Sequence, residues 1–210
     1  MNKYIFLVIA LGFHHGNGSC QKVKSVVEEP DQKIVILSGN PEAFKKAGSF
    51  HVTFDYTDLK VDGYDNEQAY IAYMMDDAEK RKKGSSENWL KKWYSNRDTV
   101  YQPKFMELFS KYGAAKFKAD TVQNGQPYIM VLHTQFVAIG FNKNFTKSPT
   151  YINALVTIKG SSNADPLVIS MENIIGDEAF SSYSPDFRRI EEAYAKCGKE
   201  LARFLLKNIY

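Results

Sequence analysis

Trp89 and Trp93 stand four positions apart, with Tyr94, Tyr101 and Phe105 close behind. Residues four apart share one face of a helix. Exposed, such an indole pair could stack on the apolar C–H faces of a pyranose; buried, it anchors its helix to a sheet by large apolar contact. The helical period favours burial, and Trp89 and Trp93 stand as the candidate ligand-binding residues of the rival reading. Asp55, Asp58, Asp62, Asp65 and Glu67 form the densest carboxylate cluster. Hard cations such as Ca²⁺ favour several oxygens on a flexible loop, but this spacing does not fit D-x-[DN]-x-[DN]-G. A solvated strand-to-helix loop, with Asp65 or Asn66 capping the next helix, is the expected role.

His51 and His133 both fall in predicted strands, and they could share a metal only if those strands were neighbours with both rings on one face. HExxH, CxxC and GxSxG are absent, as are GxxxxGK[ST] and GxGxxG. Cys197 lies on the apolar stripe of a predicted helix, where a thiol is usually inert. The sequence therefore assigns no catalytic residue, no metal ligand and no cofactor. A hydrolase built from Asp55, Asp58 or His133 would need those side chains to converge within direct or water-linked proton-transfer reach.

Cys20 carries a different chemistry. Lys3 is followed by an apolar run from Tyr4 to Phe13, then by His14-His15-Gly16-Asn17-Gly18 and Ser19 directly before Cys20. The run is too short for a spanning helix, which takes about 20 residues, and suits the h-region of an export signal. A small residue before a cysteine at this place resembles the lipobox of bacterial lipoproteins, although Asn17 stands where Leu is typical. The likeness implies cleavage after residue 19 and lipid attachment at Cys20. Each buried CH₂ contributes about 0.8 kcal/mol, so two or three acyl chains hold a protein on a bilayer without a transmembrane helix. An ordinary secretory signal, with Cys20 free or paired to Cys197, is the alternative. Residues 20–32 read as a polar tether, leaving residues 33–210 as the folded part.

The elements that must position these residues alternate in kind. Lys33–Leu37 is a β-branched run closed by Ser38-Gly39-Asn40-Pro41, and Phe50, Val52, Phe54 and Tyr56 alternate as in a half-buried strand. The alternation slips at Thr57-Asp58, which predicts a bulge or a strand end. Ala69, Tyr70, Tyr73, Met74 and Ala78 predict a helix over 66–83, closed by a basic run and Gly84. Those cations could touch anionic headgroups, but Asp76, Asp77 and Glu79 beside them favour a solvated helix end. A second helix follows Ser85-Ser86-Glu87 and is kinked or restarted at Pro103. Runs 128–141, 151–159 and 167–175 read as consecutive antiparallel strands. A final helix starts at Ser184-Pro185-Asp186 and carries Phe187, Ile190, Tyr194, Cys197, Leu201, Phe204 and Leu205. The order predicts one α+β domain, a mixed and largely antiparallel sheet with helices packed on one face, which leaves the other face or a loop rim as contact surface.

Composition narrows the partners. The 210 residues carry Lys+Arg 27 against Asp+Glu 24, with both signs interspersed, so no basic stripe for nucleic acid is present. Asn144-Phe145-Thr146 would be a glycosylation sequon only in a eukaryotic host, which the leader argues against.

FDYTDLKV at Phe54–Val61, ENWLKKWYSNRDTVYQPKFMELF at Glu87–Phe109, VAIGFN at Val137–Asn142 and RIEEAYAKCGKELARFL at Arg189–Leu205 together resemble a group of uncharacterised secreted lipoproteins of Bacteroidetes-type bacteria. The element order is also similar to that of the amino-terminal domain of TolB. The resemblance implies a lipid anchor at Cys20 and an envelope location, expected at the outer membrane on its periplasmic or surface side, and supplies no catalytic residues. The expectation is a non-enzymatic, lipid-anchored binding or structural module that meets an envelope protein or a polysaccharide. A glycan-binding accessory lipoprotein using Trp89 and Trp93 is its rival.

Overall fold

The computed structural model describes residues 30–143, 146–160, 165–176 and 186–210. The expected leader, Cys20, most of the expected tether, Asn144-Phe145 and the expected Ser184-Pro185 cap lie outside the described residues. Strands β1 (Lys33–Ser38), β2 (Ser49–Asp55) and β3 (Lys60–Val61) precede helices α1 (Glu67–Arg81), α2 (Ser86–Asn96) and α3 (Gln102–Gly113). Strands β4 (Lys118–Asp120), β5 (Tyr128–Ala138), β6 (Phe141–Lys143), β7 (Thr146–Ser148), β8 (Tyr151–Lys159) and β9 (Leu167–Ile175) follow, and α4 (Asp186–Asn208) ends the chain.

One sheet runs β1-β9-β8-β5-β2-β4, with β3 also on β5; β6 and β7 form a separate hairpin. The β5–β8 and β8–β9 pairs are antiparallel, as short polar connections allow. β1 closes one side antiparallel to β9. On the other side β2, β3 and β4 run parallel to their neighbours. The crossover that parallel pairing needs is supplied by α1, α2 and α3. The sheet is thus mixed and the domain α+β, as the element order predicts.

The alternation slip has a plain cause. β2 ends at Asp55, a turn puts Asp58 at φ 56°, and β3 resumes two residues later against the far end of β5. His133 Nε2 donates to the Thr57 carbonyl at 2.8 Å and pins that turn.

The covered face of the sheet is apolar. Phe50, Val52, Met130, Leu132, Ile152, Val156, Ile158, Leu167, Ile169 and Met171 are buried, and Ile190, Tyr194, Cys197, Leu201 and Leu205 of α4 pack among them. Helix α3 lies against α4 at a close approach: a Cβ on Gly198 would sit 2.2 Å from the Phe105 carbonyl oxygen. The opposite face is half-exposed, with Thr53, Val131, His133, Leu155, Thr157 and Val168 at the surface.

Pro103 acts one turn upstream. Lacking an N–H, it cannot bond back to residue 99, and a π-helical turn at Arg97–Tyr101 joins α2 to α3, with the Gln102 N–H bonded to the Arg97 carbonyl. This turn carries Tyr101 under the sheet, where its ring stacks on Tyr194 at 5.2 Å and 1°. The Tyr194 hydroxyl lies 2.7 Å from Thr134 Oγ1.

Two outcomes are expected. Gly198→Ala should cost about 1–3 kcal/mol by overpacking, read as a lower thermal midpoint; an unchanged midpoint would show that α3 can step back. Burial pushes the Tyr56 hydroxyl up to about 12 and drives Tyr101 and Tyr194 upward as well. Because the unfolded tyrosines ionise near 10 while the folded ones hold their protons, stability should be complete below about pH 10 and fall as pH rises above it. Tyrosinate absorbance should therefore rise in two stages, the second coinciding with loss of the near-ultraviolet circular dichroism signal. A single early stage would contradict the buried triad.

Candidate functional site: a groove beside Trp89

Helices α1 and α2 form a hairpin at the margin of the helical layer. Asn66 caps α1 by accepting from the Ala69 N–H at 2.9 Å. Between the helices, the Glu79 carboxylate accepts from the Gly84 N–H at 2.8 and 2.9 Å and from Ser86 Oγ at 3.1 Å. Ser85 Oγ donates to the Ala78 carbonyl at 2.7 Å. Gly84 sits at φ 78°, where a Cβ would be strained. These bonds hold the two helices in one relative orientation.

The floor of the hairpin is a buried polar knot. Glu67, in the first turn of α1, accepts from Trp93 Nε1 and from Arg97 Nη2. The Glu67 and Arg97 side chains are 8% and 15% exposed, so the pair is largely withdrawn from water. The Arg97 guanidinium also lies over the Tyr56 ring at 4.4 Å and the Tyr94 ring at 5.0 Å.

This knot divides the two candidate indoles. Trp93 is buried, 3% exposed, and its polar N–H is spent on Glu67. Its ring cannot meet a ligand, so the two-indole platform is corrected to one. Trp89 is half-buried and stacks on Trp93 at 5.7 Å and 11°, with Tyr70 edge-on at 5.8 Å. It lines a groove of about 430 Å³ together with Tyr70, Met74, Asp77, Asn88, Lys92 and Phe187. The size falls in the range of small-ligand sites, about 300–1,000 Å³. Arg81 reaches the rim and pairs with Asp77 at 2.8 Å. Asn88, Trp89 and Lys92 share one face of α2, and Tyr70, Met74, Asp77 and Arg81 share one face of α1. The three- and four-residue spacing was readable; which of the two faces met was not.

The remaining candidates lie elsewhere. Asp55 and His133 are register partners on the half-exposed face of the sheet. The Asp55 carboxylate accepts from the Thr57 hydroxyl at 2.7 Å and the Thr57 N–H at 2.9 Å, and these bonds hold it below the usual carboxylate range. Both groups serve the turn after β2, while Asp58 points to solvent and lines none of the cavities described here. His51 and His133 do share a face of neighbouring strands, but His51 pairs with Ile129, four residues from His133. At about 3.3 Å per residue the two rings are too far apart for one ion. The carboxylate cluster is split, since Glu67 turns inward and Asn66, not Asp65, caps α1. Burial pushes the Cys197 thiol up, and it rests 3.7 Å from Met171 Sδ.

A second cavity, about 640 Å³, lies at the β4 edge against Phe50, Phe117, Ala114 and Gln126.

No protein-family model matches the chain, and no curated protein is similar to it. Among solved structures, the PelC dodecamer from Paraburkholderia phytofirmans is similar at a TM-score of 0.36 and 10% identity, covering 80% of this chain and 96% of that one. A single-substitution variant of the same protein reaches 0.32 and 9%, with coverages of 82% and 98%. Likeness at this level assigns neither fold nor function.

Glu67→Gln should keep the Trp93 contact but leave the Arg97 charge unpaired. Breaking a buried pair this way costs about 3–5 kcal/mol. Glu67→Gln with Arg97→Met, which keeps an acceptor for Trp93 and removes the stranded charge, should recover most of that loss in denaturant unfolding. If the single change costs under about 1 kcal/mol, the knot does not organise the hairpin.

Proposed function

We propose that this chain is a binding module of the bacterial envelope, exported by its leader, held at a membrane through lipid on Cys20, and engaging its ligand in the Trp89 groove. The groove carries the reading: it brings an indole braced from behind, a cleft of ligand size and a rim of polar side chains to one place on the surface. The leader and the residues before Cys20 support export and anchoring, and no helix of the described residues is long and apolar enough to cross a membrane. A tether over 20–32 leaves the folded body in water, free to meet an envelope protein or a polysaccharide.

Cys20→Ala should move the protein from the membrane pellet to the soluble fraction of the native host. Persistence in the pellet would remove the anchor. The soluble Cys20→Ala protein should be retained by isolated cell envelopes, and adding Trp89→Ala should abolish retention with folding intact by circular dichroism. Equal retention of both forms would place binding outside the groove.

A further inference from the structure

The rim of the groove is not electrically neutral. Among the described residues Asp77 is the one carboxylate lining it, and Arg81 holds that carboxylate at 2.8 Å. Lys92 lines the same groove and is solvent-exposed, with no ion-pair partner among the described residues. Lys82 and Lys83 follow in the turn at the hairpin's end, both exposed. The groove therefore offers a cation beside an aromatic surface, with the Asn88 amide on the same stretch of α2.

Resting on the groove as the binding site, we infer that its ligand is an acidic glycan, a chain of pyranose rings bearing carboxylates. Each part of the site answers to one part of that ligand. The Trp89 indole offers an apolar surface to the C–H face of a sugar ring. Trp93 lies nearly parallel behind it at 5.7 Å, and Tyr70 closes on its edge. The indole is thus held before the ligand arrives, which lowers the ordering cost of binding. Lys92 pairs with the uronate carboxylate as a charge-assisted hydrogen-bond donor. Asn88 offers both a donor and an acceptor to ring hydroxyls. The Asp77–Arg81 pair presents a carboxylate oxygen and guanidinium N–H groups to hydroxyls further along the chain. A purely apolar ligand would leave Lys92 and Asn88 facing it without partners, and a small inorganic anion would not use the indole.

The test is a fluorescence and calorimetric titration of the full-length Cys20→Ala protein with tetragalacturonate, and with neutral cellotetraose as the comparison. Tetragalacturonate should bind and change the indole emission, at least tenfold more tightly than cellotetraose, and more weakly as salt is raised. Lys92→Gln should weaken tetragalacturonate about tenfold and leave cellotetraose unmoved, whereas Lys91→Gln, outside the groove, should change neither. Trp89→Ala should abolish both. Equal affinity for the two sugars, insensitive to Lys92→Gln, would overturn the acidic preference. Absence of binding to either sugar at millimolar concentration, with Trp89-dependent retention on envelopes intact, would overturn the glycan while sparing the binding module. Loss of that retention as well would bring down the module itself. Trp89-dependent binding to phosphatidylglycerol vesicles without sugar binding would also overturn the inference, in favour of a lipid headgroup.

Discussion

The carboxylate of Glu67 is the interaction on which the groove depends. It stands in the first turn of α1, is almost enclosed, and receives the Trp93 indole N–H and the Arg97 guanidinium together. One residue thereby ties the start of α1, the middle of α2 and the π-helical turn. A buried ion pair contributes little net stability compared with apolar packing, because both charges give up their hydration. Its effect is to exclude other arrangements, since any rotation of α2 would strand a charge. Trp93 is held inward, and Trp89 must take the outer side.

The rest of the molecule supplies a rigid frame for that hairpin. The antiparallel and parallel halves of the sheet meet at β5, which pairs antiparallel with β8 and parallel with β2 and β3. Helix α4 fills the covered face, with Gly198 allowing α3 to approach its backbone. Arg189, itself buried, donates to Thr150 Oγ1 at 3.0 Å and to the Ile139 carbonyl at 3.2 Å, which fastens α4 to the chain between β5 and β8. Phe187, at the start of the same helix, reaches the groove and stands 6.4 Å from Trp89. The groove therefore joins a locally built hairpin to the central layer.

Much of this architecture was legible in the residues. Alternation marked β2, apolar β-branched runs marked β8 and β9, Gly84 marked the turn between α1 and α2, and the apolar stripe marked α4. The three-residue β4 and the hairpin β6–β7 were not seen, because so short a run has no period to detect. The parallel pairing of β2 was also hidden. Strand periodicity states that a strand has one buried face, not which neighbour lies beside it. Pro103 signalled a break, but the i→i−5 bond that absorbs it belongs to the turn before. At the site, Trp89 and Trp93 stood out by type, while Asp77, Asn88 and Lys92 looked like ordinary solvated helix positions.

The sequence by itself determined which residues each helix and strand would turn inward, because spacing of 2 or 3.6 along one element is a local property. Only the tertiary structure decided that Glu67 alone of its acidic cluster would be buried, that one indole would be locked and the other left at the surface, and that faces of α1 and α2 would enclose a cleft. Those outcomes rest on contacts between residues tens of positions apart, such as Glu67 with Arg97. Their energies depend on mutual desolvation and fit, and no single segment carries that information.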